Sequence, residues 1–291
     1  MSAFPHNNRT WQVIDHARQH NYAVGGFCVY NTDGVMAVIK AAEYKRSPAI
    51  IQLFPWTLHF QGPHFVRYVV EAAHEASVPI SVQLDHCIQS SDIELALGLP
   101  FDSIMIDGPG SSGDLEASIA SCSQIVKRGE EVGILIEAEL GRVDGIEDGV
   151  DVEHAVAGSL TDPENAKNFV QATGVKLLAP SFGNVHGSYG AGGAEKVLQF
   201  DRLENIRSVV GESASLVLHG TSGIPLELVS RIIKYGVRKV NINKGVRQKY
   251  GQFISENAGN MELTKLKQAA VDLYAHEVGE FMDFLGSSNR A

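Results

Sequence analysis

At 291 residues, with 44% hydrophobic and 20% charged residues, the chain has a globular composition and enough length for a large core, which excludes disordered and fibrous classes. A formal net charge of -10 excludes a sequence-independent binder of nucleic acid or anionic membrane, which needs a basic face, so any bound phosphate requires a local device. Cys28, Cys87 and Cys122 form no disulfide or zinc-finger pattern, and neither a signal-like apolar segment nor a membrane-length run is present, so a cytoplasmic setting is expected.

Eight short apolar runs follow in chain order, at 22–31, 49–54, 79–87, 103–109, 132–141, 175–187, 215–223 and 238–243. They are rich in Val, Ile and Leu without strict alternation, as strands covered on both faces should be, and point to a parallel sheet. Segments between them, such as GVMAVIKAAEYKR, HFVRYVVEAAHEA and PLELVSRIIKYG, repeat apolar residues at helical spacing, and the tail from Glu262 to Leu285 also reads as helix. Repeated strand and helix units without a Pro/Gly/Ser-rich linker predict an α/β fold, a single (β/α)8 TIM barrel. Residues 1–291 are then one catalytic domain with a C-terminal helical extension at about 262–285. A doubly wound open sheet is the alternative, but no GxGxxG follows the first strand. The longest interruption, about 142–159, carries Asp144, Glu147, Asp148 and Asp151 and by itself reads as a solvated acidic loop.

In such a barrel the chemistry lies at the C-terminal strand ends. There the runs finish in Asp85 and His86, Asp107, Glu137 and Glu139, His186, His219, and Asn241 with Asn243. Three imidazoles grouped with a carboxylate suit zinc or another divalent ion. His86, His186 and His219 are the expected ligands, and Glu139 is either a further ligand or an orienting group. His186-Gly187 and His219-Gly220, the second continuing through Thr221 to Ser222 and Gly223, suggest a phosphate cradle beside the metal. Consecutive residues of a regular strand face opposite sides, so Asp85 and His86 share one mouth only if the strand turns there.

LDHC at 84–87, MID at 105–107, EAELG at 137–141, GIED at 145–148, NVHG at 184–187, LHGTSG at 218–223 and KVNI at 239–242 occur in one order. In that order they resemble the class II, metal-dependent ketose-bisphosphate aldolases, the family of fructose- and tagatose-bisphosphate aldolases, from about Tyr22 to the closing GSSNRA. The resemblance implies reversible retro-aldol cleavage of a phosphorylated ketose to dihydroxyacetone phosphate and an aldehyde. It implies His86, His186 and His219 as zinc ligands, Glu139 beside the metal, Asp85 as the acid exchanging a proton with the C4 hydroxyl, and Glu147 as the base at C3. It also matches Gly187, Gly220, Ser222 and Asn241 to positions that hold the triose and its phosphate, and implies a homo-oligomer, dimer or tetramer. A monovalent cation is a further expected cofactor; nucleic acid and membrane partners are not expected.

Three departures touch substrate recognition. Cys28 stands where the family usually has asparagine, Gly108-Pro109-Gly110 follows Asp107 in place of a polar triplet, and Asn241-Ile242-Asn243-Lys244 replaces Asn-x-x-Thr. Lys244 reads as a phosphate contact, a contact to another acid group, or a solvent-facing lysine. The alternatives are an aldolase of the same family acting on a different phosphorylated ketose or acid sugar, a Schiff-base aldolase using Lys244, a metal-dependent hydrolase, and a catalytically silent metal- or sugar-phosphate-binding barrel.

Overall fold

The computed structural model describes residues 3–106, 114–145 and 160–291. The strands are β1 (Val24–Cys28), β2 (Ala49–Leu53), β3 (Ile80–Cys87), β4 (Ser103–Ile106), β5 (Leu135–Leu140), β6 (Asp144–Gly145), β7 (Leu177–Pro180), β8 (Val185–His186), β9 (Ser215–Leu218) and β10 (Val237–Ile242). Eight of them, all parallel, close a barrel in the order β1-β10-β9-β7-β5-β4-β3-β2, while β6 and β8 pair outside it. The predicted (β/α)8 TIM barrel is therefore the fold. The helices are α1 (Arg9–His20), α2 (Thr32–Lys45), α3 (Pro55–Gln61), α4 (Pro63–Glu75), α5 (Ser90–Leu97), α6 (Leu115–Val132), α7 (Pro163–Thr173), α8 (Ala194–Val197), α9 (Phe200–Val210), α10 (Leu226–Lys234), α11 (Lys244–Asn257) and α12 (Leu263–Leu285).

Local chemistry sets the helix ends. The Asn31 and Asp162 side chains accept from the first-turn amides of α2 and α7, satisfying donors that have no partner inside the helix. Gly133, Gly174 and Gly286 stop α6, α7 and α12 in the left-handed conformation. Among the described residues, no helix is long and apolar enough to cross a membrane.

Side chains alternate along each strand, and those pointing inward form layers. At the bottom, Val24, Ile50, Leu135, Leu177 and Val217 make an apolar plug with Val13, Ile14 and Ala17 of α1. Asn8 fastens α1 there by donating to the carbonyls of Asp102 and Gly133. Two residues further along their strands lie the buried polar groups Gln52 and Glu137, level with Gln83 and Lys239. Two further on come Asp85, Glu139 and Asn241, joined at the mouth by Cys28 and His219. Outward-facing strand residues such as Ile51, Val82, Ile104 and Val240 pack against the helices in the main core, each fully buried aliphatic side chain contributing about 1.5–3 kcal/mol.

The structure corrects two of the expected strands. The run at 175–187 is two pieces, because β7 ends at Pro180 and β8 turns away to pair with β6. Between them Gly183 has φ 103, and a Cβ there would stand 2.1 Å from the Val197 carbonyl oxygen. The Asn184 side chain fixes the turn by accepting from Phe182 N and donating to the His219 carbonyl. The run at 132–141 also starts later than expected, since Val132 still belongs to α6. Asp107, Gly108, Pro109, Gly110, Glu147, Asp148 and Asp151 lie outside the described residues.

Candidate active site

β3 turns where the sequence requires it. Its register against β4 runs Leu84 with Ile104 and then Cys87 with Ile106, so one extra residue bulges between them. His86 takes up the bulge with φ 51, a left-handed conformation that costs a non-glycine residue roughly 1–2 kcal/mol. The bulge brings Asp85 and His86 to the same mouth, with Asp85 Oδ2 3.9 Å from His86 Nε2.

His86, His186 and His219 meet there. Their ring centroids are 5.0 to 5.9 Å apart, and one nitrogen from each lies within 4.8 Å of the others. The Phe54 ring lies nearly parallel to His86 at 5.9 Å and walls that side. His219 Nε2 is 3.0 Å from Glu137 Oε1. Burial by itself pushes the Glu137 carboxyl up, but the Lys239 ammonium and the His219 bond outweigh it and hold the group well below the usual carboxylate range. Burial likewise keeps His219 below the ordinary imidazole value.

An ionised Glu137 accepts the Nε2–H of a neutral His219, which leaves a lone pair on Nδ1. That buried nitrogen has no hydrogen-bond partner among the described residues, and Glu139 Oε2 lies 3.8 Å from it. Three imidazoles, one oriented by a carboxylate behind it, fit a divalent ion of zinc's borderline softness. Glu139 Oε1 accepts from Val143 N at 3.0 Å, which fixes the carboxylate beside the cluster.

Asp85 is fully buried, and its Oδ2 accepts from Asn241 Nδ2 at 3.0 Å. Its Oδ1 has no hydrogen-bond partner among the described residues. A cavity of about 760 Å3 opens beside His186, with Gly187, Gly220, Ser222, Asn241, Asn243 and Lys244 in its wall. Gly220 has φ 72, and a Cβ on it would meet the Val185 carbonyl oxygen at 2.4 Å, so only glycine lets the β8 and β9 ends approach this closely. The N-terminus of α11 faces the same space with no side-chain cap and no acidic residue in its first turn, an arrangement suited to an anion. Lys244 is the first residue of that helix and is exposed.

Asp85, His86, Glu139, His186, His219 and Asn241 are thus brought together, and Gly187, Gly220, Ser222 and Lys244 surround the adjoining cavity; Glu147 falls outside the described residues. The sequence reading marked Glu137 among the strand-end acids but missed the layer to which it belongs. There Gln52 donates to Gln83 at 2.8 Å, Gln83 donates to Glu137 at 2.9 Å, and Lys239 donates to Glu137 at 2.8 Å. A signal was present: stepping back two residues from Asp85, Glu139 and Asn241 along their strands reaches Gln83, Glu137 and Lys239.

The sequence profile of the family described as fructose-bisphosphate aldolase class-II matches residues 8–290. The fructose-bisphosphate aldolase of Thermus caldophilus is 32% identical over 96% of this chain and 98% of its own. A Coccidioides immitis protein of known crystal structure is 40% identical and superposes with a TM-score of 0.92 over 97% of this chain and 98% of that one. The YdjI aldolase of Escherichia coli K12, 29% identical, superposes with a TM-score of 0.82 over the same shares. Barrel, motifs and matched length agree, and the chain belongs to the class II fructose-bisphosphate aldolases, lyases of a generally metal-dependent family that acts on phosphorylated sugars.

Proposed function

We propose that this protein is a zinc-dependent aldolase that reversibly cleaves a phosphorylated ketose, of the fructose- or tagatose-bisphosphate type, to dihydroxyacetone phosphate and an aldehyde. The reading is carried by one observation: the imidazoles of His86, His186 and His219 meet beside a buried Asp85 whose Oδ1 makes no hydrogen bond among the described residues. A divalent ion held by the three histidines, with Glu139 as alternate ligand or orienting group, supplies Lewis-acid stabilisation of the negative charge that develops beside the ketone carbonyl.

The protein's own groups do the rest. Gly187 and Gly220 offer backbone N–H groups to the triose phosphate, Ser222 its hydroxyl, Asn241 its amide and Lys244 a positive charge. Asp85, anchored through Oδ2 by Asn241, exchanges a proton with the C4 hydroxyl through Oδ1. Glu147 removes and returns the proton at C3. Two carboxyl groups at separate places suit the two proton transfers.

The exposed Lys244 favours a second reading within the family, in which the substrate is a different phosphorylated ketose or an acid sugar, because its point charge accepts a phosphate or a carboxylate. A homo-oligomer, dimer or tetramer, a monovalent cation, a cytoplasmic setting and a single catalytic domain over 1–291 complete the proposal, and the three buried cysteines, none in a disulfide among the described residues, accord with that compartment. The test compares two variants for bound zinc and for turnover. His219→Ala is expected to lose both, and Asp85→Ala to lose turnover at wild-type zinc content. An Asp85 variant that also lost its metal would overturn the division of roles.

A further inference from the structure

Beneath the three imidazoles sits a fully buried lysine that the proposed proton transfers do not use. Lys239 and Asn241 stand two residues apart on β10 and both point into the barrel. The Lys239 ammonium donates to Asn241 Oδ1 at 2.7 Å and to Glu137 Oε2 at 2.8 Å. We propose that Lys239 is a positioning residue for the proton transfer at C4: it fixes the Asn241 amide so that Nδ2 faces Asp85, and it holds the Glu137 carboxylate that orients His219. The inference rests on the aldolase reading above.

The two ends of a carboxamide have nearly the same shape, and their neighbours decide which end points where. An ammonium can only donate, so the end of Asn241 that faces Lys239 must be its oxygen. That leaves Nδ2 3.0 Å from Asp85 Oδ2 and 3.1 Å from His219 Nε2. His219 Nε2 already donates to Glu137, so the productive hydrogen of the amide goes to Asp85. Turned over, the amide would set its oxygen against the Asp85 carboxylate, two acceptors in contact. Without the lysine only the Asp85 carboxylate itself opposes that turn, and Asn241 Oδ1 keeps no other donor among its described hydrogen bonds.

On the other side Glu137 receives three donors on two oxygens: Lys239 and Gln83 on Oε2, and His219 on Oε1. Lys239 therefore links the two halves of the site. Through Asn241 it sets the carboxylate that moves a proton, and through Glu137 it sets the imidazole tautomer. The strand spacing makes this link rigid, because both partners sit on barrel strands and both side chains are buried.

The test is a double-mutant cycle of Lys239→Met and Asn241→Ala in zinc-loaded protein, on a ketose phosphate that the wild type cleaves. Lys239→Met is expected to lower kcat about 10- to 100-fold with KM changed less than about threefold, the size of one lost charge-assisted hydrogen bond in the rate-determining arrangement. In the Asn241→Ala background the same change is expected to lower kcat by at least about threefold less than in wild type, because only the link through Glu137 remains. Losses that multiply across the cycle, or a Lys239 variant with wild-type kcat, would overturn the inference. Should Lys239→Met fail to fold, Lys239→Met/Glu137→Gln removes both buried charges together and takes its place, with Glu137→Gln as reference. Wild-type protein that cleaves no ketose phosphate would instead defeat the aldolase reading itself, so the two failures are distinguishable.

Discussion

Replacing Glu137 by glutamine keeps the shape of the barrel floor and removes its negative charge. Three donors, Gln83 Nε2 at 2.9 Å, Lys239 Nζ at 2.8 Å and His219 Nε2 at 3.0 Å, converge on the two carboxylate oxygens. A glutamine has one acceptor, so its amide nitrogen must face a donor, and the Lys239 ammonium, fully buried, loses its counter-charge. Breaking a buried ion pair by neutralising one partner costs about 3–5 kcal/mol. For a chain of this size that corresponds to a fall of about 5–8 °C in Tm. Scanning calorimetry of wild-type and Glu137→Gln protein, both stripped of metal so that ligand linkage does not contribute, measures it.

The same carboxylate gives the pH dependence a sign. Its value in the folded protein lies below the reference 4.5, so the stability it contributes is present above pH 4.5 and is lost as the pH falls through the folded value. The Tm difference between the two proteins is therefore expected to be full at pH 7 and to shrink progressively below pH 4.5. A Glu137→Gln protein as stable as wild type at pH 7 would refute the reasoning, because the carboxylate would then not be compensating the lysine.

Gly220→Ala puts a Cβ 2.4 Å from the Val185 carbonyl oxygen at φ 72, and the strain of about 1–3 kcal/mol is expected to lower both Tm and zinc content, since β8 and β9 carry His186 and lead into His219; unchanged zinc would mean that the close approach does not position the imidazoles. Lys244→Met is expected to raise KM for a phosphorylated ketose about 5- to 30-fold with kcat little changed, an effect that added salt reduces, and steady-state kinetics at two ionic strengths check it. Burial pushes the Cys87 and Cys122 thiols up to about 12, so both are expected to resist iodoacetamide in the native protein and to react on unfolding, as mass spectrometry reads; native labelling at the rate of a free thiol would contradict this.

The barrel was legible because parallel strands covered on both faces leave continuous Val, Ile and Leu runs, and the turn at Asp85 and His86 could be demanded from strand geometry before the bulge was seen. The break inside 175–187 was not legible, since Gly183 and Asn184 read as ordinary residues of an apolar run until Val197 and His219 supply their partners. The layer of Gln52, Gln83, Glu137 and Lys239 was hidden for a similar reason. Gln52, Gln83 and Lys239 look like isolated polar residues in their own strands and Glu137 like one of two strand-end acids, and only barrel closure sets the four side by side. The mouth residues stood out because histidine, glycine and acid recur together at strand ends. Their supports did not, because a buried lysine is explained only by the carboxylate it meets.

The most direct test of the account is dihydroxyacetone phosphate release from fructose 1,6-bisphosphate and a panel of other ketose mono- and bisphosphates, measured as purified, after chelation, and with zinc restored. The account predicts release from at least one substrate, its loss on chelation and its return with zinc. Release that survives complete removal of the metal, with a lysine trapped by borohydride in the presence of substrate, would contradict it.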